Sequence, residues 1–250
     1  MTNIRTCLKN RLSILIYCLL PACISISWLP VQNIRLASPV SFQLLSSLEG
    51  SRNAIDSLYK LMSLQQKGLS KQAFAFAYKG YRRLLQKNII GTGDYLLICD
   101  FSQSSKRKRL YLLDMQQKKV IVNTYVAHGR RSGGEYATKF SNKLQSQQSS
   151  LGFYIAQNTY YGEHGLSLRM LGLEKGYNDK ALQRNIVIHG ADYIGESWLK
   201  NVNCMGRSYG CPALPRKESS EIINTIKNGS CIFIYHPSPA YLHGSKLLND

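Results

Sequence analysis

Two segments decide how the C-terminal half of this sequence folds: IVIHG at residues 186–190 and GRSYGCPA at residues 206–213. The first is a β-branched run that ends in a histidine and a glycine, which predicts a buried strand followed by a tight turn. The second places glycines before a cysteine, which predicts a loop that presents the thiol of Cys211. A thiol reacts as the thiolate, and an imidazole such as that of His189 lowers its pKa and removes its proton. By spacing alone, an ordinary loop cysteine and a strand-end histidine remain the favoured interpretation.

Outward from these segments, short runs rich in Leu, Ile, Val and Tyr alternate with polar turns, which is typical of β-strands. Strands are predicted at Tyr95–Asp100, Arg109–Asp114, Lys119–Val126, Gly152–Gln157, Asn185–His189 and Ser230–His236. One helix is predicted at Lys217–Lys227, with Gly229 as its C-cap. The glycine-rich connections at 129–134, 162–176 and 206–210 are predicted to be functional loops. The fold class is therefore predicted as mainly β.

Two amphipathic helices are predicted before this β-rich region. Ile55, Leu58 and Met62 recur at helical spacing in the first, and Ser70 is a plausible N-cap for the second. The aromatic stripe of the second helix, which begins at Phe74, is interpreted as core. Together they predict a small helical cap, preceded by a tether from about residue 31.

The N-terminus has the layout of a targeting segment. Arg5, Lys9 and Arg11 precede an apolar run at residues 12–22, and no acidic residue interrupts them. The sequence LPAC at residues 20–23 resembles a lipoprotein processing box that would lipidate its cysteine. An uncleaved membrane anchor is the alternative, because apolar residues continue beyond it, and a buried core helix is a third. Export to the cell envelope, with membrane association through this segment, is the common prediction.

The charge is strongly positive, with 32 basic and 14 acidic residues and a formal net charge of +18. Such a balance suits nucleic acids, anionic membranes or cell-wall polymers that carry free carboxylates. The basic residues are dispersed, and the dense run Lys106–Arg109 is interpreted as a solvated loop between strands. No zinc finger or RNA-recognition signature accompanies them, so nucleic-acid binding is not expected.

Four of the seven cysteines follow the leader, without the paired spacing of a structural zinc site. Cys99 and Cys231 lie in apolar runs and are interpreted as buried thiols, with a disulfide between them as the alternative. Cys204 is interpreted as packing or as a second thiol, and a disulfide with Cys211 would make a redox switch. His164 is predicted to order a loop rather than to catalyse.

The two opening segments resemble the signature of bacterial L,D-transpeptidases, in which a histidine–glycine pair precedes S-x-G-C. The wider match is to the murein L,D-transpeptidase catalytic-domain family, the YkuD-like cysteine transpeptidases, over about residues 85–240. Further segments that carry it are Val126–Gly129, Phe140–Asn142, Ser149–Gly152 and Tyr160–Gly165. In one departure, Pro212 and Ala213-Leu214 stand where other members have an arginine or asparagine soon after the cysteine.

This resemblance implies a β-rich catalytic domain that transfers acyl groups of peptidoglycan stem peptides. Cys211 would attack the third stem residue, and His189 would act as general base and then protonate the departing amine. Ser208 would hold the imidazole or shape the loop, and the amides of Tyr209, Gly210 and Cys211 would line the oxyanion site. No metal or organic cofactor is implied. An amine acceptor would make L,D crosslinks, whereas water would make the enzyme a carboxypeptidase.

Candidate substrate-binding residues surround this pair. Arg169 and Arg184 suit the carboxylates of a stem peptide, with bracing of loops as the alternative. Arg207 or Arg184 would supply the charge missing after the cysteine, and Gly190 accompanies the histidine. His128 is predicted either to line the cleft or to support a loop.

The predicted organisation is a leader at 1–30, a tether and helical cap at 31–88, a catalytic domain at 89–240 and a tail at 241–250. The rival from another class is a non-catalytic wall-binding protein. The intact His189 and Cys211 argue against that rival.

Overall fold

A computed structural model describes residue 50, residues 52–91 and residues 93–250 of the chain. The predicted leader, its Cys23 and most of the tether lie outside the described residues. Within the part that is described, no helix is both long and apolar enough to cross a membrane.

Eight strands form one mixed sheet in the order β3-β2-β1-β8-β4-β5-β6-β7. The strands are β1 (Tyr95–Asp100), β2 (Leu110–Asp114), β3 (Lys119–Thr124), β4 (Gly152–Gly162), β5 (Gly165–Gly172), β6 (Val187–Ala191), β7 (Ala213–Pro215) and β8 (Cys231–Tyr235). The pairs β1–β8 and β6–β7 are parallel, and the other neighbours are antiparallel. The prediction of a mainly β domain with a helical segment before it is confirmed.

One strand lies where the sequence predicted a loop, and its neighbour is longer than predicted. β5 falls inside the glycine-rich connection 162–176 and forms a hairpin with β4, which extends beyond its predicted end at Gln157 to Gly162. Leu168 and Met170 of β5 are buried on one face while Arg169 between them is exposed, which is the alternation of a strand that buries one face. The interpretation of 162–176 as a loop is therefore wrong. The glycines of this segment suggested a loop, although residues 168–170 alternate between apolar and polar as a strand does.

The centre of the sheet is buried on both faces, since every residue of β8 and all but the first of β1 are buried. Such strands have near-continuous apolar sequences, as both do here. Leu96 pairs with Cys231 and Cys99 pairs with Ile234, so the two cysteines are three register positions apart. Because side chains alternate between faces, they point to opposite sides of the sheet. Both are buried free thiols, and the alternative of a disulfide between them is wrong.

Helices cover the sheet and its ends. They are α1 (52–61), α2 (Lys71–Gln86), α3 (Glu196–Asn201), α4 (Arg216–Ile226), α5 (Pro239–Gly244) and α6 (Lys246–Asn249). The side chain of Ser70 accepts a hydrogen bond from the Ala73 amide at 3.1 Å, which is the predicted N-cap of α2. Phe74 and Leu84 of α2 belong to the same hydrophobic core as β1 and β8. The helical segment therefore packs directly on the sheet.

A buried carboxylate anchors the C-terminal helices. Glu174 accepts hydrogen bonds from the Phe153 amide and the Tyr241 hydroxyl, each at 2.8 Å, and from the Ser245 hydroxyl. Burial raises the pKa of Glu174, and these three donors oppose that rise. Residues 241–250, which the sequence predicted only as a tail, thus form ordered helices that are joined to the sheet.

Gly80 in the middle of α2 lies against the core ring of Phe153. A Cβ at this position would lie 2.0 Å from the Phe153 Cζ atom, and Phe153 is itself stacked on Phe233 at 4.2 Å between ring centroids. The close approach explains why a helix interior tolerates glycine here, at a cost of about 0.5–1 kcal/mol in helix propensity.

We expect Gly80→Ala to lower the free energy of unfolding by about 1–2 kcal/mol, because overpacking of about 1–3 kcal/mol exceeds the propensity gain. Urea denaturation measures this change. Gly134→Ala is the matched control, since nothing lies within 4 Å of its Cβ position. An alanine variant at residue 80 as stable as the parent would show that the ring moves aside freely.

Candidate active site

The site forms where β6 and β7 run side by side at one edge of the sheet. His189 of β6 pairs with Ala213 of β7 in parallel register, and Gly190 pairs with Leu214. Continuing that register backwards by two residues places Cys211 opposite Val187. The hydrogen bond from the Val187 amide to the Cys211 Sγ atom, at 3.5 Å, agrees with this placement. Cys211 therefore lies on the chain segment adjacent to that of His189, two register positions before it.

The loop that carries the thiol is held by Ser208. Its hydroxyl donates to the Cys211 carbonyl at 2.6 Å and accepts from the Gly210 amide at 3.0 Å. Gly210 has φ +127°, and a Cβ there would lie 2.8 Å from the Gln148 carbonyl oxygen. A residue with a side chain is therefore excluded at Gly210 by both conformation and space. Of the two predicted roles of Ser208, the structure supports shaping the loop.

The thiol of Cys211 is half-buried in a mostly neutral setting. Its Sγ atom lies 3.7 Å from the Asn185 carbonyl oxygen, in addition to the Val187 amide. Burial raises the pKa of this thiol, while the Val187 amide and the charge of Arg184 act in the opposite direction. The resting cysteine is therefore a thiol that needs a base before it can attack.

His189 is the residue predicted to act as that base, and its surroundings favour the neutral imidazole. Its side chain is only 2% exposed, and Nδ1 lies 3.1 Å from the Gly190 carbonyl oxygen. A carbonyl only accepts, so we assign the proton to Nδ1, which leaves a lone pair on Nε2. Burial lowers the pKa of His189, and the neighbouring His164 and Arg216 lower it further. Burial therefore favours the uncharged form of both Cys211 and His189, which lie on neighbouring chain segments.

The backbone amides of the loop differ in whether they are free to donate a hydrogen bond to a developing oxyanion. The Gly210 amide donates to Ser208, so it is occupied and its predicted place in the oxyanion site is not supported. Among the described residues, no acceptor on another residue takes the amides of Tyr209 or Cys211. These two amides are the donors that can face a tetrahedral intermediate.

Arg184 braces the loop that faces the thiol. Its guanidinium donates to the Ser141 carbonyl at 2.7 Å, to the Ser146 hydroxyl at 3.1 Å, and to the Ser150 hydroxyl and the Gln148 carbonyl. These contacts fit the bracing alternative. Contact of Arg184 with a substrate carboxylate stays a prediction, as does its part in supplying the charge missing after the cysteine.

Two open clefts share Asn185, whose carbonyl contacts the Cys211 thiol. One, of about 400 Å³, is lined by Arg184, Tyr209 and the 144–147 segment. The other, of about 200 Å³, is lined by Arg169, which lies over the Tyr160 ring at 5.0 Å. Arg169 thus lines a cleft that includes Asn185 and Val187, and its contact with a substrate stays a prediction.

A third cleft, of about 360 Å³, lies on the other side of Tyr209 and is lined by Arg207 and Cys204. Arg207 is exposed and donates to the Gly133 carbonyl at 3.0 Å. The Tyr209 ring is 64% exposed and packs under the Arg130 guanidinium, 5.3 Å from its centroid. Cys204 is an exposed free thiol, and its predicted disulfide with Cys211 is not formed.

Two predicted substrate contacts are buried instead. His128 is 0% exposed, and its Nδ1 accepts a hydrogen bond from the Arg109 guanidinium at 2.7 Å, so direct contact with a substrate is excluded. Its carbonyl accepts from the Ser208 amide at 3.1 Å, which supports the catalytic loop. Gly190 is also buried, and a Cβ at this position would lie 2.4 Å from the Ser219 hydroxyl oxygen. Its carbonyl orients the imidazole rather than a substrate.

The burial of Arg109 contradicts the interpretation of the basic run Lys106–Arg109 as a solvated loop. Its side chain is 0% exposed, and its guanidinium donates to the carbonyls of Val126 and Gln103 and lies over the Phe101 ring at 4.8 Å. The last residue of the run is therefore a core residue, not part of a solvated loop.

Sequence reasoning missed His164 as a neighbour of the site. Its ring stacks on that of His189, with centroids 4.3 Å apart and planes 21° apart. The alternating pattern of β5 is the sequence signal that could have indicated this position. Ser167 of β5 pairs with His189, which places the β4–β5 turn beside the imidazole. No group of three His, Cys, Asp or Glu side chains that could hold a metal lies within the described residues.

Comparison with known proteins gives one family and several distant structures. The family model for the L,D-transpeptidase catalytic domain matches residues 65–235. No curated protein matches the chain in sequence.

Solved structures that resemble the chain include an L,D-transpeptidase from Mycobacterium smegmatis at 13% identity and TM-score 0.35, covering 57% of this chain and 59% of that one. A mutant L,D-transpeptidase of Enterococcus faecium has 12% identity and TM-score 0.35, covering 57% and 50%. A fragment from Xylanimonas cellulosilytica has 12% identity and TM-score 0.34, covering 70% and 93%. The matched region thus spans little more than half of the first two proteins.

The family match covers more than half of the chain and includes both segments that build the site. The chain belongs to the L,D-transpeptidase catalytic-domain family.

Proposed function

We propose that this protein transfers an acyl group of a peptidoglycan stem peptide through a thioester on Cys211. The observation that carries the proposal is the parallel register of β6 and β7, which brings the chain segments of Cys211 and His189 side by side, with the Nδ1 atom of His189 on the Gly190 carbonyl. This arrangement leaves Nε2 of His189 to take the thiol proton. The family match supports stem peptides as the substrate class.

The proposed reaction balances in two steps. In the first, the Cys211 sulfur bonds to the carbonyl carbon of the third stem residue while the thiol proton passes to His189. The bond to D-alanine then breaks, and His189 returns the proton to the departing amine. The amides of Tyr209 and Cys211 face the oxyanion during the attack.

In the second step an acceptor attacks the thioester, and His189 takes the acceptor's proton and returns it to the cysteine sulfur. A stem-peptide amine as acceptor forms an L,D crosslink, which is the reaction we propose. Water as acceptor would make the protein an L,D-carboxypeptidase. The match to the L,D-transpeptidase catalytic domain supports the amine as acceptor.

The first test incubates the purified full chain with a disaccharide-tetrapeptide and follows protein mass and small products. We expect an adduct of the disaccharide-tripeptide acyl group, release of D-alanine and crosslinked dimer. Cys211→Ala is expected to abolish all three, whereas Cys204→Ala, the matched control at an exposed thiol, keeps them.

Each alternative has its own outcome in that test. Tripeptide without dimer would identify a carboxypeptidase. Absence of adduct and product, with retained binding of the fragment, would replace acyl transfer by a wall-binding role.

We also propose that the protein is exported and held at the cell envelope by its first 30 residues, on their sequence pattern alone. The mass of the N-terminal peptide from membrane and soluble fractions tests this proposal. An unprocessed N-terminus found only in the soluble cell interior would contradict it.

A further inference from the structure

The imidazole of His189 has a second imidazole against its face. The rings of His164 and His189 are nearly parallel, with centroids 4.3 Å apart. His189 is buried, whereas His164 is exposed at the turn between β4 and β5. The contact therefore covers the catalytic ring on a side that would otherwise be open.

The position of His164 is built into the backbone around it. β4 and β5 pair up to Gly162 and Gly165, so the turn that carries His164 is tight. The Arg216 guanidinium donates to the His164 carbonyl at 3.4 Å, and its Nε pairs with Asp192 at 2.6 Å. The stacked ring is therefore connected both to a hairpin and to the start of α4.

We propose that His164 is a positioning residue for His189: its stacked ring fixes the plane of the catalytic imidazole and disfavours the protonated form of that base. This role rests on the proposed function only in that His189 serves Cys211 as base. Stacked aromatic pairs stabilise a mutual orientation by specific ring contact, in addition to the area that they bury.

The charged surroundings support the second half of the role. The titratable and charged groups that face His189 are His164 from the β4–β5 turn and Arg216 from α4. Asp192 offsets part of the Arg216 charge through their ion pair. Both His164 and Arg216 lower the pKa of His189, so each favours the neutral base.

Alkylation of Cys211 by iodoacetamide tests the role without any wall substrate. The rate is followed from acid to neutral pH on the full chain, and peptide mass spectrometry separates Cys211 from Cys204. His164→Phe keeps a ring on His189 and removes the titratable group. Its alkylation rate on the neutral-pH plateau is expected to stay within about twofold, while the fall in rate on the acid side moves to higher pH, because the pKa of His189 rises when the neighbouring His164 is removed.

His164→Ala removes the ring as well, so its plateau rate is expected to fall by about 2- to 10-fold. Tyr161→Ala, an exposed residue of the same hairpin, is the matched control and should leave plateau and limb unchanged. Parental profiles in both His164 variants would overturn the inference. Loss of D-alanine release in the parent would contradict the proposed function instead, since alkylation still reports on His189.

Discussion

Replacing His189 with asparagine is expected to lower kcat/KM for D-alanine release by about a thousandfold, within the 10²–10⁴ range of general acid–base catalysis. The asparagine amide nitrogen takes the place of Nδ1, so it retains a donor for the Gly190 carbonyl, which His189 now reaches at 3.1 Å. What it lacks is Nε2, the atom assigned as base. A thousandfold change corresponds to about 4 kcal/mol in the activation free energy.

The pH profile separates loss of the base from loss of structure. In the parent, the rate rises as His189 becomes neutral and then levels off. Without a base, the rate depends on the thiolate of Cys211, whose pKa is raised by burial. The residual rate of the asparagine variant is therefore expected to rise about tenfold per pH unit throughout the neutral range.

Steady-state kinetics between pH 6 and 9 measures this prediction, with His243→Asn as the matched control. His243 is exposed in α5, so its variant should behave like the parent. If His189→Asn lowers kcat/KM by less than threefold, or if its rate does not change with pH in the neutral range, another group takes the thiol proton.

The sequence was enough to single out Cys211 as the candidate nucleophile and His189 as the candidate base, because each lies at a junction with a strong local signal. IVIHG predicts a strand that ends at the histidine, and GRSYGC predicts a constrained loop. The resemblance to a family supplied the pairing of the two. What places them together is the parallel register of β6 and β7, and β7 is too short for a sequence pattern.

The neighbours of the pair were less predictable, because they depend on tertiary pairing. His164 lies beside His189 because β5 pairs with β6. The strand β5 was not predicted, since the glycines around it suggested a loop. The Gly210 amide was predicted to donate to the oxyanion, but in the structure it donates to the Ser208 hydroxyl, a contact that the sequence does not indicate. Arg109 ends a run of four basic residues, and no local pattern indicates that its charge is buried against Phe101 and His128.

That buried arginine leads to the second large expected effect, on acid stability. The charge of Arg109 and burial together lower the pKa of His128 to about 4, with burial the larger cause. Since the folded pKa lies below the unfolded value of 6.5, the stabilisation from neutral His128 is complete above pH 6.5 and is lost as the pH falls through about 4. The shift corresponds to about 3 kcal/mol.

The variant His128→Asn isolates this contribution. Its amide oxygen occupies the position of Nδ1 and can accept the hydrogen bond that Arg109 now donates at 2.7 Å, yet it does not titrate. At pH 7 the variant is expected to be less stable, because it loses the ring contact with Phe101 at 5.9 Å. From pH 7 to pH 4 that deficit should shrink by about 3 kcal/mol, because residue 128 of the unfolded parent takes up a proton that the folded parent does not bind until about pH 4.

Urea denaturation of parent and variant at pH 7, 6, 5 and 4 measures the deficit, and His243→Asn again controls for the substitution. Carboxylates titrate in the same window, but they do so equally in both proteins and cancel in the difference. A deficit that stays constant from pH 7 to 4 would show that His128 accepts a proton without disturbing Arg109. A shrinking deficit ties acid sensitivity to the catalytic loop itself, because the His128 carbonyl holds the Ser208 amide at 3.1 Å.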